Sequence, residues 1–204
     1  MKGILFNTKM VQAILENRKF ETRRPIKYVS LCGGNLTWTG YRPIFEYGKF
    51  FLEGSHHVPA TTKIKPKYQV GDILYVRETF NSDGWDYGDP TTYKADFTEE
   101  EVKTFYHDCT DFKWRPSIHM PKEAARIFLE VADVRVERLR DITIEQLAKE
   151  GFGNVSHPID KPWYECAREL FISTFLEIYP DCTEESYVWV YEFKRVDKPE
   201  VADA

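Results

Sequence analysis

Residues 187–196 carry apolar side chains in both alternating sets: Val188, Val190 and Trp189, Tyr191, Phe193, with polar residues taking over from Lys194. Successive side chains on a strand point to opposite faces, so a stretch apolar in both parities has no face to give to water. Such a segment belongs at the centre of a sheet, paired on both edges. That requirement restricts the chain to folds built around a β core. Glu192 interrupts the run and is expected to pair with an arginine, as a structural contact.

Two further strands are predicted from the alternation. Over 73–79, opened by Gly71 and Asp72, the residues Leu74, Val76 and Glu78 share one face and Ile73, Tyr75 and Arg77 the other. The longest strand signal covers 126–139. Ile127, Leu129 and Val131 share one parity there and Val134 and Val136 the other, which predicts a bulge near Asp133. Residues 2–6 read as a short strand. Asn7 and Thr8 then offer an N-cap for a helix with Met10, Val11, Ile14 and Leu15 on one face, ending near Asn17. Residues 18–25 are a turn running into an extended segment, because Pro25 keeps Arg24 out of the helical region.

Glycines and prolines break residues 28–69, leaving room for short strands at 36–38 and 49–52. A loop is expected over 81–90, a short strand at 92–94 and an acidic helix over 99–106. Thr143 with Gln146 has the capping-box pattern for a short helix ending at Gly151. Asp160 is expected to cap a longer helix with the stripe Trp163, Ala167, Leu170, Phe171, Thr174 and Ile178. Strands outnumber helices and do not alternate with them. The expected class is α+β with a curved or closed sheet.

Composition narrows the function. The 204 residues are 42% hydrophobic and 30% charged, an ordinary globular balance. No stretch approaches the roughly 18 apolar residues of a membrane span. The start of the chain turns polar after Ile4, Leu5 and Phe6, so no signal peptide is read there, and a cytoplasmic protein without membrane partners is expected. The net charge of −5 argues against indiscriminate duplex-DNA binding, which needs phosphate neutralisation. A local basic patch survives this, with Arg18, Lys19, Arg23, Arg24 and Lys27 set against Glu16 and Glu21. Lys63, Lys65 and Lys67 read as a solvated loop or edge strand. Cys32, Cys109, Cys166 and Cys182 are far apart, and His56-His57 and His107-x-Cys109 lack partner pairs at metal spacing. No metal is predicted.

Three places carry chemistry. Lys19 and Thr22, with Arg24 nearby, can act as base and nucleophile if burial lowers the lysine pKa and the backbone turns between them. On spacing alone they equally describe a solvated basic turn. Glu78 puts a carboxyl on an otherwise apolar strand face, which is costly unless it is paired or faces a cavity. A Lys19–Glu78 ion pair would satisfy both groups, while a charge reaching water at a strand end remains the plain alternative. Residues 114–121 bring Trp114, Arg115, Ser117 and His119 together between Pro116 and Pro121. That composition suits a nucleobase pocket or, equally, a proline-stiffened crossover. Arg77, on the opposite strand face from Glu78, joins the substrate-binding candidates.

The run from Ile14 through Glu16, Asn17, Arg18, Lys19, Phe20, Glu21, Thr22 and Arg23 to Arg24 resembles the ASCH-domain signature, a helix end followed by G-x-K-x-x-x-x-R. Residues 70–78 resemble that family's following strand, and the strands at 127–139 and 187–194 extend the likeness. The whole chain is similar to phage and prophage ASCH proteins. The resemblance implies a PUA-like fold, a partly closed mixed β-barrel with flanking helices. A single domain would then span 1–196, with loop-rich insertions at about 28–66 and 80–113 and a flexible tail over 197–204. Trp38, Trp85 and Tyr93 are candidates to line its cleft. Asn17 stands where the signature has glycine, and asparagine also enters left-handed geometry. Phe20 and Glu21 are bulkier than the amidohydrolase members carry.

The resemblance further implies a function. Small bacterial members remove the acetyl group from N4-acetylcytidine, and their lysine, threonine and strand glutamate match Lys19, Thr22 and Glu78. Thr22 would be the nucleophile, Lys19 its base and Glu78 the proton carrier. Arg23 and Arg24 would hold the loop or the substrate. The leading expectation is a cofactor-independent hydrolase acting on a modified nucleoside. The alternatives are a non-catalytic binder of single-stranded RNA or modified nucleic acid using residues 18–27, and a ribonuclease using His119 and Lys19.

Overall fold

The computed structural model describes residues 1–26, 28–29, 35–36, 42–46, 49–53, 61–81, 91–108, 113–153 and 161–199. The chain runs β1 (Lys2–Leu5), α1 (Thr8–Leu15), β2 (Glu21–Pro25), β3 (Tyr28–Val29), β4 (Asn35–Leu36), β5 (Arg42–Glu46), β6 (Lys49–Glu53) and β7 (Thr61–Ile64). It continues through β8 (Ile73–Arg77), β9 (Phe80–Asn81), β10 (Thr92–Tyr93), α2 (Glu99–Asp108), β11 (Phe128–Arg138), α3 (Ile144–Lys149), α4 (Trp163–Ile178) and β12 (Tyr187–Val196). The class is α+β, as the strand-rich pattern predicts.

The main sheet has five strands in the order β1-β8-β11-β12-β2. Strand β1 pairs with β8 in parallel, Lys2 opposite Leu74 and Leu5 opposite Arg77, whereas β8 meets β11 antiparallel. Strand β12 also pairs antiparallel with β2, from Val188 opposite Pro25 to Glu192 opposite Glu21. Its doubly apolar run therefore sits inside the sheet with a strand on each side, as expected. The smaller sheets are β5-β6-β7, β3-β4 and β9-β10. Strand β7, which carries Lys63, is at an end of its sheet and meets the edge-strand reading.

The described backbone divides into two compact units. The first gathers Met1–Phe20, Val70–Ala132 and the chain from Phe193 onward; the second gathers Glu21–Gln69 and Asp133–Glu192.

In the first unit, α1 begins where Asn7 Oδ1 accepts the Met10 N–H at 2.9 Å. The helix buries Val11, Ala13 and Ile14. Met10 and Leu15 of the expected stripe are only half-buried, and Ala13 takes the inward position. Strand β8 keeps the predicted parity: Leu74 and Val76 are fully buried while Ile73, Tyr75 and Arg77 are half-exposed. Phe80, Met120, Ala125 and Phe128 form a buried cluster beside it.

In the second unit, Leu139, Ile142, Leu147, Ala167, Phe171, Ile172, Phe175, Val188 and Val190 make the core. Helix α3 carries the full capping box: Gln146 N–H donates to Thr143 Oγ1 at 3.3 Å, and Thr143 N–H donates back to Gln146 Oε1 at 2.9 Å. Gly151, just past that helix, is left-handed at φ 94°.

Helix α4 departs from expectation twice. Its N-cap is Pro162, whose fixed φ suits a helix entry, and Asp160 lies outside the described residues. Its buried face is Ala167, Phe171, Ile172 and Phe175, whereas Leu170 and Ile178 are each 46% exposed. Ala167 and Phe171 of the expected stripe are buried and Trp163 packs against the core, but the buried face continues through Ile172 and Phe175 rather than Leu170 and Ile178. Trp38, Trp85, residues 82–90, Cys32, Cys109, the His56-His57 pair and residues 200–204 lie outside the described residues. Among the described residues no helix is long and apolar enough to cross a membrane.

Candidate active site

Lys19 owes its placement to the way α1 ends. Asn17 is left-handed at φ 54°, the conformation its side chain tolerates better than most. The chain then folds back, and the N–H groups of Arg18 and Lys19 both donate to the Ala13 carbonyl, at 2.8 and 3.0 Å. Phe20 accepts from the Phe193 N–H at 2.9 Å, which ties the segment to β12. Lys19 is 1% exposed, with its Nζ 5.8 Å from the centre of the Phe6 ring. A buried ammonium is expensive unless other groups meet it, and the Phe6 ring face is one group that does.

Glu78 continues the buried parity of Leu74 and Val76 and is 1% exposed. Both of its oxygens are gripped by one guanidinium: Arg126 Nε donates to Oε1 and Nη2 to Oε2, each at 3.0 Å. This fork is the strong, directional form of a charge pair. Arg126 is itself fixed on two more sides. Its Nη1 donates to Asp96 Oδ2 at 2.7 Å, and its Cζ lies 3.9 Å from the centre of the Tyr93 ring. Tyr93 is anchored by donating its hydroxyl to the Ala124 carbonyl at 2.7 Å.

Burial raises the Glu78 pKa, the hydrogen bond and charge of Arg126 pull it down, and Asp96 adds to the rise; the net result is raised. Burial likewise lifts the Tyr93 hydroxyl. For Arg126 burial opposes the charged form, but Glu78 and Asp96 outweigh it and the guanidinium is held more firmly protonated.

The 114–121 segment is pinned rather than loose. Arg115 and Phe80 exchange backbone hydrogen bonds at 2.7 and 3.2 Å, and Asn81 Nδ2 donates to the Lys113 carbonyl at 2.8 Å. Residues Ser117–His119 form a single 3₁₀ turn. Arg77 reaches into it, donating from Nε to the Met120 carbonyl at 3.1 Å and from Nη2 to the Ile118 carbonyl. The Glu78 N–H points at Met120 Sδ at 3.2 Å. Trp114 is half-buried, 6.0 Å from Phe97 between ring centres. Ser117 is half-buried, and Arg115 and His119 are exposed. Arg77 thus braces the loop from the strand that carries Glu78.

Thr22, Arg23 and Arg24 belong to β2 in the second unit. Thr22 is 1% exposed and sits opposite Tyr191 in the ladder. Residues 19–22 are not one continuous turn: the tight bend is at Glu16 and Asn17, and β2 starts at Glu21. Arg23 is 2% exposed and meets Glu150 at 3.0 Å, Glu137 at 2.9 Å and Glu21 at 3.5 Å. Arg24 Nη1 donates to the Tyr179 hydroxyl at 3.2 Å.

The charges of residues 16–24 are largely met from within the protein. Arg18 pairs with Glu16 at 2.5 Å, and Arg23 has its three carboxylates. Glu192 pairs with Lys149 at 3.1 Å and with Arg135 at 3.7 Å, the structural contact expected of it. Arg135 also holds Glu21, at 2.8 Å, and Glu137, at 2.6 Å.

The groups that sequence reasoning passed over are Arg126 and Asp96. Arg126 was read only as the first residue of a strand. Its signal is register: Phe128 opposite Tyr75 carries the antiparallel ladder on toward Arg126 opposite Arg77, one residue from Glu78. Among the described residues no three His, Cys, Asp or Glu side chains come together as a metal-holding group.

No protein-family model matches the chain, and no curated protein matches it. Among solved structures it is similar to protein EF3133 from Enterococcus faecalis V583, of family model DUF984. That likeness spans 97% of this chain and 82% of that one, with a TM-score of 0.41 and 8% sequence identity. At that level it carries no argument about function.

Proposed function

We propose that the protein is a cofactor-independent hydrolase of ASCH type, on a PUA-like fold, which cleaves the acyl amide of an N4-acylated cytidine or a closely related modified nucleoside. The observation that carries this reading is the burial of Lys19, Thr22 and Glu78, each 1% exposed. These are the three side chains the ASCH resemblance assigns to chemistry. Burying an ammonium and a carboxyl costs stability that partners such as Arg126 only offset, and sites of chemistry are where proteins keep such groups inside.

In this reading the Thr22 hydroxyl attacks the acyl carbonyl while Lys19 takes its proton. The new C–O bond forms and the C–N4 bond breaks. Glu78 delivers a proton to the departing amine; water then cleaves the acyl-threonine ester, giving a proton back to Glu78 as Lys19 returns its proton to the threonine oxygen, and the acid leaves. The braced segment with Trp114, Arg115, Ser117 and His119, supported by Arg77, is proposed to hold the nucleoside, and Arg24 to steady the loop before it. A role for Arg23 in holding substrate is less well supported, because three carboxylates already engage it.

The RNA-binding alternative needs residues 18–27 to present free positive charge. The pairing of Arg18 and Arg23 with carboxylates weighs against it. The ribonuclease reading rests on His119, which is exposed.

The experiment is turnover by the purified protein on N4-acetylcytidine and a panel of N4-acylated nucleosides, with and without EDTA. Acid release that persists in EDTA and is lost in Thr22→Ala supports the proposal. Absence of turnover across the panel, with a salt-sensitive shift of single-stranded RNA indifferent to Thr22→Ala, favours the binder. RNA cleavage lost in His119→Ala favours the ribonuclease.

A further inference from the structure

We infer that Arg126 is a positioning residue for Glu78, holding the carboxylate in one orientation and favouring its charged form against the effect of burial, with Asp96 and Tyr93 holding Arg126 in turn. This rests on the reading of Glu78 as a proton carrier, but its physical content can be measured without any substrate. The geometry is specific. One guanidinium spans both carboxylate oxygens at 3.0 Å, a third contact at 2.7 Å goes to Asp96, and its Cζ lies over the Tyr93 ring, 3.9 Å from the centroid. A surface ion pair does not need three restraints on one arginine. Here the acid end is almost fully buried while the guanidinium keeps 28% of its exposure.

The consequence for chemistry is definite. A carboxylate whose two oxygens both accept from one cation is locked in its plane, and the cation opposes the rise in pKa that burial causes. Burial alone would leave Glu78 neutral over a wider pH range. The charged and titratable groups that the structure sets about it are Arg126, Asp96 and Tyr93, and Lys19 joins them in the proposed reaction. Of Arg126, Asp96 and Tyr93, only Arg126 favours the carboxylate.

The test is an NMR titration of the Glu78 carboxyl, using side-chain-labelled glutamate and assigned by its loss in Glu78→Gln, in the wild type, Arg126→Lys and Arg126→Met. The midpoint is expected to rise by about one to three pH units in Arg126→Met, the usual effect of one adjacent arginine. In Arg126→Lys, which keeps the charge but loses the planar fork, the rise should be smaller. Where turnover is measurable, the acid limb of kcat moves by the same amount. An unchanged midpoint in a folded Arg126 variant overturns the inference. Should Arg126→Met not fold, Arg126→Lys decides by the same criterion. A kcat loss with an unmoved pH profile would mark Arg126 as merely structural and overturns the inference as well. If the wild type turns over none of the nucleosides, the functional reading falls, and the titration still decides the role of Arg126.

Discussion

Arg23 Nη1 and Glu150 Oε1 lie 3.0 Å apart, both almost fully buried, though 127 residues separate them along the chain. This contact joins β2 to the end of α3 within the second unit. Removing Arg23 takes a close cation from buried Glu150 and also from Glu137 and Glu21. Arg23→Met is therefore expected to lose about 3–5 kcal/mol of unfolding free energy in urea titration. The double variant Arg23→Met/Glu150→Gln should lose clearly less than the sum of the single losses, because the stranded charge is gone. Additive losses would show that the pair is not coupled.

The same network sets how the second unit answers to acid. Burial pushes the Glu137 pKa up, but the Arg135 hydrogen bond and the charges of Arg23 and Arg135 more than reverse it, leaving it lowered. A carboxyl with a lowered folded pKa adds stability that is complete above the unfolded value of about 4.3 and is lost as pH falls through the folded value. Glu78 has the opposite sign. Its folded pKa is raised, so its contribution is complete below about pH 4.3 and is lost as pH climbs through the raised value. Urea midpoints measured across pH should thus fall less steeply below about pH 4.3 in Glu137→Gln than in wild type, and decline less as pH climbs above about 4.3 in Glu78→Gln.

Helix α3 has only six residues, too few to persist on propensity alone. Its capping box matters accordingly. Thr143→Ala is expected to cost about 1 kcal/mol, read as an equal drop in unfolding free energy and faster amide exchange in the first turn of the helix. Thr143→Ser should recover most of it.

Arg77 is expected to control the 3₁₀ turn rather than the fold. Arg77→Ala removes two charge-assisted bonds to the Ile118 and Met120 carbonyls. Exchange of the His119 and Met120 amides should quicken about tenfold, the factor that roughly 1.4 kcal/mol of lost protection gives, while β8 amides stay protected. In the proposed enzyme KM rises more than kcat falls. An unchanged exchange rate at both amides would remove the brace from the account.

Features set by near neighbours in the chain were legible beforehand. The Thr143–Gln146 box, the Asn7 cap and the left-handed Asn17 each depend on residues within three or four positions, where side-chain chemistry alone decides geometry. The alternation Leu74, Val76, Glu78 was legible for the same reason, as was the central position of the 187–196 strand.

What was hidden depends on register and on competition between faces. Arg126 meets Glu78 across 48 residues, and Arg135 meets Glu21 across 114, so neither pairing shows until strands are placed side by side. Helix α4 buries Ala167 and Phe171 as expected, but its apolar face turns to Ile172 and Phe175, leaving Leu170 and Ile178 exposed. Glu78 shows both sides of this: its place on the face of Leu74 and Val76 followed from parity, while its burial and its arginine partner did not.

The most direct measurement is steady-state hydrolysis of N4-acetylcytidine in EDTA by the wild type and by Lys19→Ala, Thr22→Ala and Glu78→Gln, each confirmed folded by circular dichroism. The account predicts steady acid release by the wild type and a loss of at least about a hundredfold in each variant, the scale of removing a general acid, a general base or a nucleophile. Wild-type turnover that survives Thr22→Ala undiminished would contradict it.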